Sequence, residues 1–279
     1  MVGDIVKKFI FAAAAFGALV APALGADMPL KARSYVAPPA LWTGWYVGAN
    51  AGWAGSQNSV NSAATPVPDA ALGVVPGVSE GLAALSTGPI PAGSRSGFIG
   101  GGQAGYNWQF GSWVAGIETD IQGIAKSSGA GSVTRTAVVA GVPVTSTQTA
   151  SLSTEYLGTV RGRLGFLVTP TWLLYATGGL AYGGANASTT LFQTGPGFVG
   201  VGAGSLSDAR AGWTAGGGFE WMFAQRWSAK AEYLHYDLGT GGFASASTSG
   251  FFATPVYQNV LYSAHFEGNV VRAGVNYHF

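Results

Sequence analysis

Cysteine is absent from all 279 residues, which excludes a disulfide framework and any thiolate metal site. Charge is scarce: Asp, Glu, Lys and Arg make up 9% of the chain, against about 25% in ordinary soluble domains. A water-facing surface for a chain of this length needs more. There is no basic excess either, since the formal net charge is +1 and no basic run occurs, so nucleic acid is set aside as a partner. Long apolar runs are missing as well. Mean hydropathy is +0.28, yet past the first two dozen positions there is no stretch of about 18 uncharged apolar residues, which argues against membrane helices. Inside lipid, the remaining way to satisfy every backbone N–H and C=O is a closed β-barrel.

What the chain does have begins with an export pattern. Lys7 and Lys8 precede an apolar stretch from Phe9 to Val20, and small residues follow around Ala23 and Gly25. This reads as a signal peptide over 1–25, cleaved after Gly25; Pro22 and the shortness of the run argue against a permanent anchor. Its removal takes Lys7, Lys8 and Asp4 and leaves a formal charge of zero. Residues 26–41 carry Pro29, Pro38 and Pro39 with Lys31 and Arg33, and read as an extended periplasmic leader. The barrel is expected over 42–279.

From Trp42 onward the sequence alternates with period two, the signature of strands. The pattern predicts eight of them, at 43–54, 97–110, 113–125, 154–169, 172–183, 212–223, 227–238 and 265–279. Along each, one parity is apolar or aromatic and the other small, polar or charged. Trp45, Val47, Ala49, Ala51 and Trp53 alternate with Tyr46 and Asn50, for example, and Val271, Ala273, Val275, Tyr277 and Phe279 with Arg272, Asn276 and His278. The apolar parity is expected to face lipid and the other the lumen. The fold class is therefore all-β, an up-and-down antiparallel transmembrane barrel of about eight strands.

Connections alternate between tight turns, at Gly111-Ser112, Pro170-Thr171 and 224–226, and long Gly/Ala/Ser/Thr-rich stretches at 55–96, 126–153, 184–211 and 239–264. Outer-membrane barrels have short periplasmic turns and longer extracellular loops, so both chain ends belong in the periplasm and the long stretches, with Ser247 among them, are expected as surface loops. Trp42, Trp45, Trp108, Trp113, Trp172, Trp221 and Trp227 fall near the chain start or a tight turn. Amphipathic rings collect at membrane interfaces, so these seven are expected to form one periplasmic girdle.

Three stretches carry a family resemblance: the opening Leu41-Trp42-Thr43-Gly44-Trp45-Tyr46-Val47-Gly48, the block Leu174-Tyr175-Ala176-Thr177-Gly178-Gly179-Leu180-Ala181-Tyr182-Gly183, and the ending Val271-Arg272-Ala273-Gly274-Val275-Asn276-Tyr277-His278-Phe279. In that order they resemble the small outer-membrane β-barrel proteins of alphaproteobacteria, the porin or outer-membrane immunogenic protein family. The resemblance covers essentially the whole mature chain. It implies an eight-stranded barrel shaped like the transmembrane part of OmpA, residence in the cell outer membrane, and an assembly signal in Tyr277 and Phe279 read by the barrel-assembly machinery. Outer-membrane lipid and lipopolysaccharide are the expected surroundings, and host or envelope partners would meet the loops.

The inward parity gathers Glu118, Asp120, Glu155, Arg161, Arg163, Glu220, Lys230, Glu232 and Arg272. An eight-stranded barrel is about filled by side chains, so these are expected to pair across the lumen as a polar plug. A narrow solute pore is the competing reading, since charged rings also line channels. Gly100-x-Gly102-x-x-Gly105 has the letters of a dinucleotide fingerprint but sits inside a strand, where glycine thins a curved wall. His235 with Asp237 and His265 with Glu267 fall on the outward parity near the outer rim, whereas His278 is placed in the lumen near the periplasmic mouth. A lipid-modifying hydrolase is the remote alternative, but no serine is singled out by spacing. No catalytic residue, cofactor or metal site is read from the sequence, and the expectation is a structural, surface-interacting barrel.

Overall fold

The computed structural model describes residues 42–279 except 126–129 and 252–253, so the signal segment and leader expected over 1–41 lie outside the described residues. The strands are β1 (Gly44–Pro66), β2 (Gly88–Phe110), β3 (Trp113–Ile124), β4 (Gly131–Val139), β5 (Val142–Thr169), β6 (Trp172–Gly195), β7 (Phe198–Ala224), β8 (Trp227–Phe251) and β9 (Thr254–His278). Two short helices, α1 (Asp69–Leu72) and α2 (Val78–Leu85), lie between β1 and β2. All pairings are antiparallel, in the order β3-β2-β1-β9-β8-β7-β6-β5-β4, and pairing of β3 with β5 closes the ring. β4 takes over from β3 along the same partner β5, so nine strands make eight staves.

The alternation acts through burial. In β3 the exposed Trp113, Ile117 and Ile121 alternate with the buried Val114, Glu118, Asp120 and Gln122. A soluble protein would reverse this pattern. Apolar side chains outside and polar ones inside suit a wall between lipid and a filled lumen.

The strands are far longer than a membrane requires. A tilted strand crosses the hydrocarbon in about 9–11 residues, whereas β5 has 28 residues and β7 has 27. The segments expected as loops are therefore mostly β-structure: β1 runs on to Pro66, and the β4–β5, β6–β7 and β8–β9 pairs continue as hairpins above the membrane band. At the β4–β5 tip, Ala140 and Gly141 both have positive φ, 48° and 81°, the demand of a two-residue hairpin turn. Ser247, expected in a loop, is buried on the inner face of β8. In this outer half β2 and β4 do not ladder with each other. Arg135 of β4 bridges them through its Nη2, which donates to Pro89 O at 2.8 Å, while its Nη1 donates to Gln148 Oε1 of β5 at 2.7 Å.

Two further expectations are corrected. Glu155 is exposed, because a bulge between Thr154 and Leu157 shifts the parity of β5 just before the membrane band. Trp42 is fully buried inside the lower mouth and does not join the aromatic rim. It precedes the strand that would have turned it outward, and its indole N–H donates to Pro170 O at 3.0 Å across the opening. The other six tryptophans of that set are 41–63% exposed on the outer face beside the short turns.

Four layers fill the interior. Trp42, Val114, Leu167, Leu173, Tyr175 and Met222 close the bottom. The charged groups lie above them. Next comes an apolar layer that includes Leu152, Leu157, Leu234, Leu238, Val260 and Phe266. At the top α2 inserts Val78, Leu82 and Leu85 against Val139, Val144, Phe198 and Val256. Below that contact, Ser86 Oγ, Gln193 and Gln148 link the helix end to β5 and β6.

Candidate functional site

The charged layer is built from cross-strand neighbours of opposite sign. Register places Glu118 opposite Arg161, Glu220 opposite Lys230 and Glu232 opposite Arg272. Such pairs attract locally, but the lumen is narrow enough for the long side chains to reach beyond them. Arg161 holds three carboxylates, Glu118 Oε1 at 2.5 Å, Asp120 Oδ2 at 2.8 Å and Glu232 Oε1 at 2.8 Å. Arg272 Nη2 reaches Glu232 Oε2 at 2.6 Å and Asp120 Oδ2 at 2.8 Å. Lys230 Nζ leaves its register neighbour and donates to both oxygens of Glu118, at 2.7 and 2.8 Å. Glu220 is taken instead by Arg163 Nη2 at 2.6 Å, with Ser228 Oγ and Asn276 Nδ2 also donating to it.

Neutral side chains complete the cross-section. Tyr46 from β1 donates to Glu118 Oε2 at 2.7 Å and accepts from Arg163 Nη1 at 3.1 Å. Its ring lies over Gly105, where a Cβ would collide with the phenol, which accounts for the last glycine of the apparent fingerprint. Tyr175 from β6 donates to Glu232 Oε1 at 3.2 Å, and its ring stacks 4.2 Å below the Arg163 guanidinium. Gln103 from β2 joins Asn50 and Asn276. Every stave of the ring thus sends at least one side chain into this layer.

The eight remaining charges are Glu118, Asp120, Glu220 and Glu232 against Arg161, Arg163, Lys230 and Arg272, each buried to 5% exposure or less. With Glu155 placed outside, four acids meet four bases and the layer is formally neutral. Balance matters because an unpaired buried charge is strongly destabilising, whereas a paired, hydrogen-bonded one is tolerated. Sequence reading found these eight by parity. It did not find the roles of Tyr46, Tyr175, Ser228 and Asn276, although each lies on the inward parity; an inward tyrosine in a charged stripe was the signal.

Near the lower mouth Ser228 Oγ lies 2.9 Å from His278 Nε2 and 2.5 Å from Glu220 Oε1. These are the residue types of a nucleophile, base and carboxylate. The wiring is wrong for that chemistry, since the serine hydroxyl donates to the carboxylate and not to the base. Trp42 also packs edge-on over His278, with ring centroids 5.9 Å apart. The other histidines sit half-exposed on the outer wall: His265 Nε2 is 3.6 Å from both Asp237 Oδ1 and Glu267 Oε2, and His235 Nδ1 is 3.1 Å from Asn269 Oδ1.

A closed antiparallel ring with an apolar exterior band, tryptophans beside its short turns and a polar lumen defines a transmembrane barrel of the Gram-negative outer membrane. Comparison with known proteins names the family. Residues 11–279 match the family described as Outer membrane protein beta-barrel domain, and the chain belongs to it. It is 36% identical over 243 residues to the 31 kDa outer-membrane immunogenic protein of Brucella melitensis biotype 1, covering 85% of this chain and 84% of that one. It is also 29% identical over 153 residues to the 22 kDa outer membrane protein of Rhizobium leguminosarum bv. viciae, covering 52% and 58%. Among solved structures it is similar to the outer membrane protein OprG from Pseudomonas aeruginosa, with a TM-score of 0.39 at 13% identity over 85% of this chain and 97% of that one.

Proposed function

We propose that the protein is a plugged, non-catalytic barrel that stabilises the outer membrane and carries a long β-extension as an interaction surface at the cell exterior. The observation that carries this reading is the charged layer, which draws on every stave, is buried throughout and balances four acids with four bases. An ion moving along the axis would have to break several of these contacts at once and then pass Trp42. Lipid and lipopolysaccharide are the partners that the apolar band suits. For the barrel-assembly machinery the candidate contact is the end of β9, whose Tyr277 and Phe279 rings pack edge to face 5.3 Å apart beside the junction with β1. Planar-bilayer recording of the refolded protein in molar salt tests the plugged reading. No stable conductance steps are expected; reproducible ohmic steps would replace it with the narrow-porin reading.

A further inference from the structure

The end of the extension farthest from the membrane is apolar where water would favour charge. Residues 67–77, which follow β1, contain one charge, Asp69, and it is buried; the exposed positions there are Pro, Ala, Gly and Val75. The hairpin tips around this connection agree with it. Val138 stands outward at the β4–β5 tip, Phe192 and Val199 flank the β6–β7 tip, and Tyr257 lies near the β8–β9 tip, all of them exposed. Val138 is 71% exposed and Val75 59%. Register joins three of the tips' neighbours in one outward row, since Phe192 pairs with Val201, Val201 with Thr248 and Thr248 with Tyr257. This crown is separate from the lipid-facing band, because Val199 lies fourteen residues along β7 from the exposed Trp213, ~45 Å of strand.

Charge is as scarce here as water-binding side chains. On the outward parity of β4 to β9, no described side chain above Glu155 and His265 is charged. Glu80, in the first turn of α2, is the one exposed charge among the described residues of the connection and of 138–143, 192–201 and 250–257. The backbone is satisfied as well. Laddering runs to Val139↔Val142 in one hairpin and to Gly195↔Phe198 in the next, so the tips end without a frayed strand. A surface that enters lipid must bring neither unpaired charges nor unpaired N–H and C=O groups, and the crown meets both demands except at Glu80. Tyr257 adds a ring with one apolar and one polar end, the chemistry that collects where headgroups meet hydrocarbon. The crown is also convex, because Val78, Leu82 and Leu85 of α2 fill the mouth that the tips surround. It offers no groove to a peptide, whereas a bilayer needs no matching shape.

We propose that the crown is a contact for a second lipid bilayer with a zwitterionic surface, into whose headgroup region Val75, Val138, Val199 and the Tyr257 ring settle. The inference rests on the reading of the extension as an exterior interaction surface, and it names the partner. Zwitterionic lipid follows from the charges. The crown has no cation with which to hold an anionic headgroup, and Glu80 would be repelled by one. The membrane half meets lipid by the same means, with apolar side chains turned outward on a fully laddered backbone and aromatic rings at the edge.

The absence of native cysteine lets one reporter answer two questions. On whole cells, Val75→Cys should react with a membrane-impermeant maleimide; no reaction would overturn the exterior reading and the proposal with it. In lipid nanodiscs, the same cysteine carrying an environment-sensitive nitrobenzoxadiazole dye tests the lipid contact itself. Phosphatidylcholine vesicles should raise the dye emission and shift it to shorter wavelength, and the protein should float with the vesicles. Val138→Asp with Val199→Asp should cut flotation by about tenfold or more, as expected when two valines lose their burial in lipid. Leu261→Asp is the control. Leu261 is exposed on the same wall but lies ~13 Å of strand below Tyr257, deeper than the ~5–10 Å to which surface-bound apolar faces sink, so flotation should be unchanged. An unchanged dye signal, an equal loss from Leu261→Asp, or tighter binding to phosphatidylglycerol than to phosphatidylcholine overturns the proposal while leaving the maleimide result, and the exterior reading, in place. A dye response that follows protein concentration without vesicles overturns it too and assigns the crown to a second copy. Should the double variant fail to assemble, Val75→Asp alone, which lies outside every strand, should lower flotation several-fold, and an unchanged yield overturns the proposal equally.

Discussion

The membrane half and the outer half of this barrel share strands, register and alternation, yet they solve the problem of filling a narrow tube in opposite ways. Below, long charged side chains reach across the lumen and neutralise one another, as Arg161 does with Glu118, Asp120 and Glu232. Above, the interior is Leu, Val and Ala with neutral hydrogen-bonding groups such as Gln148 and Gln193, and a helix is needed to finish it. Outside the contrast runs the other way and is weaker: the lower wall is aromatic and aliphatic, while the outer wall mixes polar pairs, Thr134 opposite Thr147 and Thr136 opposite Thr145, with exposed apolar side chains such as Phe192, Val199 and Leu261. The difference teaches that alternation alone fixes which parity faces in. What fills each face is set by the surroundings, lipid in one half and water in the other.

The largest expected effect tests the lower half. Arg161→Ala leaves four buried acids against three bases, with Arg272 and Lys230 still beside Glu118, Asp120 and Glu232, and stranding a buried partner typically costs ~3–5 kcal/mol. Urea unfolding of the barrel in lipid vesicles should show a loss of that order. Adding Glu118→Gln should restore part of it, because three acids then face three bases, although the hydrogen bonds that Arg161 gave to Asp120 and Glu232 stay lost. Gln193→Ala in the outer half, which removes only neutral hydrogen bonds, should cost about 1–3 kcal/mol. Equal losses for Arg161→Ala and Gln193→Ala would erase the distinction between the halves.

A second prediction tests the outer faces. Ala273 lies exposed on the lipid-facing parity of β9, so Ala273→Arg should cost ~2–4 kcal/mol if it sits near the bilayer midplane. Thr147→Arg, on the outward parity of β5 above the band, should change stability by less than about 0.5 kcal/mol. Similar costs at both sites would mean that the lipid-facing band extends higher than the row of exposed tryptophans indicates.

How much could be read from the sequence follows the same division. In the lower half Trp, Ile and Leu alternate with Glu, Arg and Gln, a contrast large enough to show parity, strand and facing, and all eight charges of the layer were legible from it. In the outer half Thr-Ser-Thr-Gln-Thr over 145–149 alternates between residues of similar hydropathy, so the strand carries almost no period-two signal and reads as loop. Glu155 was misplaced because a bulge changes parity without marking the sequence, and Trp42 because position near a turn does not say on which side of the wall a residue before the first strand will lie. The helix α2 was hidden by its own length: Gly81 interrupts eight residues whose apolar positions acquire meaning only against Val139 and Phe198.

The smallest expected effect concerns the connection that finishes the outer half. Helix α2 begins after Gly77, which has no side chain to cap it, and Asp69 supplies the missing acceptor from eight and ten residues upstream: its Oδ2 accepts from Gly77 N at 2.6 Å and its Oδ1 from Ser79 N at 2.8 Å. Burial by itself would raise the Asp69 carboxyl, but the hydrogen bonds from Ser79 and Gly77 outweigh it and hold the group below the ordinary aspartate value. A carboxyl depressed in the folded state stabilises that state fully above its unfolded value, about 3.9, and the contribution fades as pH falls through the lower folded value. The helix should therefore stay docked through neutral and mildly acid pH and loosen only in stronger acid, whereas the charged layer, tied by several pairs per residue, does not depend on this one group. Asp69→Asn keeps the shape but weakens both acceptors, and a cap of this kind is worth ~1 kcal/mol, or about fivefold in local opening. Hydrogen exchange of residues 77–86 followed against pH should show that increase at neutral pH in the variant and lose the acid-dependent step seen in the parent. An unchanged acid step in Asp69→Asn would mean that another group anchors the helix, and that the apolar contacts with Val144 and Val256 hold the mouth without help from the cap.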